Sequence, residues 1–274
     1  MSLAEQLLQA RYREQPVAVP STAITPFIEQ LLSHRSVRHY LPDPISDEML
    51  ATIIAAAQSA PSSSNLHPWS VIAVRDPARR ARLAEYAGKQ QHVADAPLQL
   101  VWLADLSRLR ALAAAAGRPA DGLDYQEMFL VGVIDATLAA QNASLAAESL
   151  GLGTVFIGGM RNQPEQVADL LDLPDGTVAL FGLCVGHPDP TRPAAIKPRP
   201  AQPFVLHHES YQHTAAAGTV EDYNHSMAEF YQEQGMKVHG NWALHSVKRI
   251  AGPASLSGRD RLVEALHERG FMLK

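Results

Sequence analysis

Apolar residues recur along this chain in two alternating periods, and each change of period marks an element. Residues 3–14 read as a short amphipathic helix that Pro16 and Pro20 end. Thr25 and Pro26 open a second helix carrying Phe27, Ile28, Leu31 and Leu32, with proline where its missing N–H costs nothing. Ser46 caps a third, along which Met49, Leu50, Ile53, Ile54 and Ala57 fall on one face. Short apolar runs at Val71–Val74, Leu98–Ala104, Thr154–Ile157 and Val178–Val185 predict strands. Helices are predicted over Arg79–Tyr86, Asn162–Leu173, Val220–Gln234, Trp242–Ile250 and Asp260–Glu268, and residues 105–124 as an exposed excursion. The longest periodic segment, Tyr125–Leu150, is apolar on nearly every side and stops at Gly151, which predicts a central helix buried within the domain or between subunits.

Composition narrows the class. A chain of 274 residues can bury a sizeable core. A formal net charge of -5 argues against nucleic acid or an anionic membrane as the main partner. Asp135, Gln141, Asn142 and Glu148 interrupt the long helix, so it is not expected to span a bilayer. The single cysteine, Cys184, lies in the run L-F-G-L-C-V-G, which reads as inert packing in a reducing, cytoplasmic setting. His207, His208, His213, His225, His239 and His245 show no metal-ligand spacing, and no metal site is expected. No G-x-S-x-G elbow occurs.

Four stretches carry candidate chemistry. S33-H-R-S-V-R-H-Y40 sets Arg35 and Arg38 three residues apart with Ser36 between them and His34 beside them. Such forks suit a phosphate or an electron-rich ring edge, although for a lone R-x-x-R a solvated basic turn is the better reading. P61-S-S-S-N-L-H-P-W69, dense in short donors and held by two prolines, is a plain turn or a wrap for a polyhydroxyl chain. G151-L-G-T-V-F-I-G-G-M-R161 is not a dinucleotide fingerprint, because its first glycines follow a helix and precede a strand. The paired glycines Gly158 and Gly159 at the strand's end would let the backbone approach a flat ligand. In the proline-rich stretch over residues 187–204, Lys197 and Arg199 fall on one side at period two, a second cationic pair.

Taken together, H34-R-S-V-R38, P61-S-S-S-N65, Q90 before H92-V-A, A140-Q-N-A with A-A-E-S-L-G-L-G153, F156-I-G-G159 and K197-P-R199 stand in the order found in the flavin-dependent nitroreductases. The chain resembles that family's oxygen-insensitive, NADPH-dependent nitroreductase and flavin reductase branch, over about residues 24–274. The resemblance implies an α+β fold, a mixed, largely antiparallel sheet flanked by helices, in an intertwined homodimer. Residues 1–23 would be an N-terminal arm, 24–205 the FMN-binding core and 206–274 a C-terminal helical extension of the same domain.

By the same resemblance, His34, Arg35, Ser36 and Arg38 line the ribityl-phosphate and the pyrimidine side of FMN. Ser62, Ser63, Ser64 and Asn65 reach in from the partner subunit, and Gln90 hydrogen-bonds the flavin. Phe156, Ile157, Gly158 and Gly159 bring backbone N–H groups to the ring, while Lys197 and Arg199 bind phosphate. The implied activity is reduction of nitroaromatics and quinones by NADPH or NADH in two-electron ping-pong hydride transfer. Its alternatives are an NAD(P)H:flavin reductase supplying reduced FMN, or a non-catalytic flavin-binding redox protein. No catalytic residue is expected beyond the cofactor, because a flavin carries the hard step itself. One position departs from the family. In E-F-Y-Q-E-Q234-G the NADPH-using relatives carry an arginine on the dinucleotide's phosphates, and Gln234 cannot make that charge-assisted contact. Lys237 and His239 are the cations that could replace it.

Overall fold

The computed structural model describes residues 1–13, 19–212, 216–238 and 240–274. His213 and His239 lie outside these residues. The chain groups into two compact units, Met1–Arg35 with Ala194–Ser255, and Ser36–Pro193 with Leu256–Lys274.

The larger unit is built on four strands, β1 (Trp69–Val74), β2 (Leu98–Asp105), β3 (Gly153–Ile157) and β4 (Thr177–Gly186), in the order β1-β2-β4-β3. All three ladders are antiparallel, and among the described residues one parallel bridge joins Ser36 to Thr154. The continuous apolar run of β2 has a simple cause: both of its faces are covered. Leu98, Leu100 and Trp102 pack with Ile53 and Ala57 of α3 (Asp47–Gln58) and with Ala139, Ala140, Ala143 and Ala147 of α7 (Gln126–Ser149). Val101 and Leu103 face the other way, onto Leu83 of α4 (Pro77–Tyr86), Val93 of α5 (Gln91–Asp95) and Val167 of α8 (Pro164–Leu170). The alanines of α7 let a helix lie close on both α3 and the sheet, which explains a segment apolar on nearly every side. Although α7 is long and apolar enough by composition to cross a membrane, nine of its residues are buried in this core.

Local signals work as read. Ser46 Oγ accepts from Met49 N at 3.2 Å, and Gly151 stops α7 at φ 79°. Some elements differ. The excursion over residues 105–124 contains α6 (Ser107–Ala115), whose exposed alanines gave no apolar stripe to detect. The helix expected to begin at Asn162 begins at Pro164, because Gly158–Arg161 forms a 3-10 turn first. The C-terminal α11 (Leu262–Glu268) brings Leu266, and the tail brings Phe271, against Val178 and Leu180 of β4.

The smaller unit holds α1 (Leu3–Tyr12), α2 (Pro26–Ser33), the extended proline-rich segment from Ala194, α9 (Ala216–Glu233) and α10 (Trp242–Arg249). Its apolar centre is small: Tyr223, Met227 and Phe230, with Trp242 set edge-on to Tyr223 at 5.0 Å between ring centroids.

Candidate functional site

In the larger unit, the polar residues that the sequence singles out are set by the sheet edge. Val37 N donates to Thr154 O at 2.9 Å, laying Ser36 and Val37 alongside β3. Gly153 permits this approach, since a Cβ there would meet the Val37 side chain at 2.7 Å. The next residue, Arg38, is exposed. Burial, and after it the charge of Arg38, hold His92 below its ordinary pKa, which favours the neutral ring. The arginine and the start of α5 are therefore electrostatic neighbours.

At the other end of β3, Gly159 is pressed against Ala87, the residue that caps the C-terminal end of α4. A Cβ on Gly159 would lie 2.6 Å from Ala87 O, the same carbonyl that Gln90 Nε2 contacts at 2.7 Å. Gly159 and Gln90, some seventy residues apart, thus meet at one carbonyl. Neither Gly158 nor Gly159 has positive φ, so close approach, not a left-handed backbone, is the reason for glycine here. A Cβ on Gly158 would sit 3.4 Å from Arg161 Nη2 and 3.8 Å from Arg259 Nη1. Arg161 also donates to Leu180 O, burial lowers its pKa, and Arg259 Nε donates to Asn162 Oδ1 at 2.8 Å. Neither arginine stood out in the sequence, because each acts through a fold contact and not through a motif. Phe156 is partly exposed and packs edge-on to Phe181 at 5.6 Å.

The serine loop is held from below by α7. Ser62 Oγ donates to Asp135 Oδ2 at 2.6 Å and Ser63 N to Asp135 Oδ1 at 3.2 Å. Ser64, Asn65 and His67 all take positive φ (49°, 57° and 49°), an unfavourable conformation for residues with a Cβ. The buried Asp135 carboxylate and the Asn65–His67 side-chain contact at 2.8 Å help offset that strain, leaving Ser63, Ser64 and Asn65 exposed. Asp135 was legible in the sequence only as a polar interruption of an apolar helix.

In the smaller unit, His34 ends α2, and Arg35 beside it is exposed. Lys197 and Arg199 are exposed with Pro198 buried between them, the alternation expected of an extended segment. Tyr223 Oη donates to Pro198 O at 3.1 Å, and Arg199 N to Arg11 O at 2.8 Å. Gln234 is exposed just past α9. Cys184 is buried against Gln99 and its thiol is pushed up to about 12 by burial, so it is not a nucleophile.

Comparison with known proteins decides what this arrangement belongs to. The profile of the nitroreductase family matches residues 31–187, and that of the nitroreductase family C-terminal domain matches residues 197–274. The chain belongs to the nitroreductase family. Its members include the NADPH-flavin oxidoreductase of Vibrio harveyi, 36% identical over 245 residues, which cover 89% of this chain and 97% of that protein. The oxygen-insensitive NADPH nitroreductase of Salmonella typhimurium is 37% identical over 249 residues, covering 90% and 99%. Among solved structures, NfrA2 of B. megaterium superposes with a TM-score of 0.86 at 37% identity, covering 92% of this chain and all of that one. The nitroreductase fold read from the sequence is thereby established, as an α+β arrangement of helices around an antiparallel sheet.

Proposed function

We propose that this nitroreductase-family chain is an FMN-dependent NAD(P)H oxidoreductase of nitroaromatics and quinones. The observation that carries the reading is the meeting of Gly159 and Gln90 at Ala87 O, on the sheet edge that also bears Ser36 and precedes Arg38. Glycine at 159 lets the end of β3 close onto Ala87, and that closure sets the Gln90 amide beside the strand's end, where a flat ring with polar edges would need it. By their chemistry, cations for a phosphate and amides and backbone N–H groups for a ring, the residues of each unit suit FMN. His34, Arg35, Lys197 and Arg199 would hold the ribityl-phosphate, and Ser36, Arg38, Gln90 and the backbone of Phe156, Ile157, Gly158 and Gly159 would take the ring. Ser62, Ser63, Ser64 and Asn65 would serve the FMN of a partner protomer.

When bound, FMN supplies two-electron hydride chemistry. The chain's part is binding and electrostatics. Arg38 would place a permanent charge where negative charge develops on the ring. The names of the Vibrio and Salmonella relatives support NADPH as donor; Gln234 leaves NADH as the other donor to test. A homodimer is part of the proposal. Leu130, Ile134 and Leu138, 44%, 54% and 40% exposed, form a stripe at i, i+4 and i+8 on α7 that a second copy would cover. We place the enzyme in the cytoplasm.

Purified protein reconstituted with FMN should show flavin absorbance that bleaches on adding NADPH and returns on adding a nitrofuran. A protein that ignores added FMN ends the proposal. Faster turnover on free FMN than on the nitrofuran selects the flavin reductase reading, which the Vibrio relative's name favours. Tight FMN binding without bleaching by either nicotinamide selects a non-catalytic flavin protein.

A further inference from the structure

Arg11 lies in α1, ahead of the residues that the nitroreductase profile matches. An arginine in the last turn of a short terminal helix is ordinarily solvated, yet Arg11 is only 6% exposed. Its Nη1 donates to Lys197 O at 2.8 Å, and its Nη2 donates to Leu32 O at 2.8 Å and to His34 O at 2.7 Å. Its own carbonyl accepts from Arg199 N at 2.8 Å. One residue therefore grips both neighbours of Pro198 and the C-terminal end of α2.

Each contact has a reason. The last carbonyls of a helix have no partner within it, so Leu32 O and His34 O, at the end of α2, are open to an external donor. An extended proline-rich segment has few ladder bonds, so Lys197 O and Arg199 N look outward as well. Burying a guanidinium is costly unless its N–H groups are used, so Arg11 is stable there only while the two segments keep this spacing. The planar fork fixes the spacing in a way that a single ammonium cannot. The helix bearing it is itself tied down by the reciprocal Ser2–Glu5 capping box and by the Arg13–Glu233 ion pair.

We propose that Arg11 is a positioning residue for phosphate recognition. It holds His34–Arg35 and Lys197–Arg199 at a set separation, so that their cations are preorganised for the phosphate of FMN. The inference rests on the FMN reading above, and the test separates the two. Affinities of full-length apoprotein for FMN and for riboflavin, which lacks the phosphate, are measured by flavin fluorescence quenching for the wild type, Arg11→Met and Arg11→Lys. Arg11→Met should bind FMN about tenfold more weakly with riboflavin affinity within about twofold of wild type, and Arg11→Lys should fall between. The lysine variant carries the same test if the methionine variant does not fold. An unchanged FMN-to-riboflavin ratio, or equal loss for both ligands, overturns the inference and leaves the FMN reading standing. A wild type that does not prefer FMN to riboflavin overturns both.

Discussion

The two units hold their candidate residues by opposite means. In Ser36–Pro193 with Leu256–Lys274, Gly159, Gln90 and Ser36 are set by backbone against backbone, on a sheet whose faces are both covered by helices. In Met1–Arg35 with Ala194–Ser255, the apolar cluster is small, and the backbone at His34 and over residues 197–199 is held by polar contacts with Arg11 and Tyr223. The difference teaches where each kind of precision comes from. A sheet fixes main-chain position through repeated ladder bonds, which suits a surface that must stay bare. A proline-rich segment offers few such bonds, so its carbonyls must be gripped by particular side chains.

The comparison can be broken at several points. The largest effect should come from the sheet core. Trp102→Ala empties a fully buried site and should cost about 3–5 kcal/mol in denaturant unfolding. A loss below about 1 kcal/mol would mean that the core does not fix the larger unit. Next comes the serine loop. Asp135→Asn keeps one acceptor oxygen but sets an NH2 against Ser62 Oγ or Ser63 N in place of the other, and should cost about 2 kcal/mol. Protease nicking should then appear within residues 62–67 before it appears elsewhere; an unchanged cleavage pattern would deny Asp135 that role.

One cation from each unit provides a direct contrast. Arg38→Ala and Lys197→Ala should each weaken FMN retention by about 1–3 kcal/mol with little change in melting temperature. Unchanged FMN affinity in both would move the phosphate elsewhere.

The smallest effect is expected at Arg13–Glu233, an ion pair at 2.5 Å whose carboxylate is about half exposed. Glu233→Gln should cost no more than about 1 kcal/mol. The hydrogen bond from Arg13 holds the Glu233 carboxyl below the usual carboxylate range. Its contribution is therefore present above the ordinary glutamate pKa and lost as pH falls through the depressed value. Stability curves of wild type and Glu233→Gln should converge on acidification below about pH 4. A constant gap would show that the pair acts through packing instead.

Much of this protein was legible from one dimension. The capped starts of α2 and α3, the stop at Gly151 and the apolar run of β2 follow from local rules, because each signal and its consequence lie within a few residues. The order of the arginine, serine, glycine and K-P-R stretches was enough to point to the nitroreductase family, since family membership is written in short motifs. Where the signal was compositional, reading stopped: exposed α6 has no apolar stripe, and α5 is a five-residue turn of helix.

Contacts between distant residues were decided only in three dimensions. Asp135 beneath the serine loop, Arg259 beside Gly158, and Arg11 on Lys197 O and His34 O join residues between 23 and 186 positions apart. No local pattern encodes such a meeting, because which carbonyl a guanidinium finds depends on where packing has already placed the backbone.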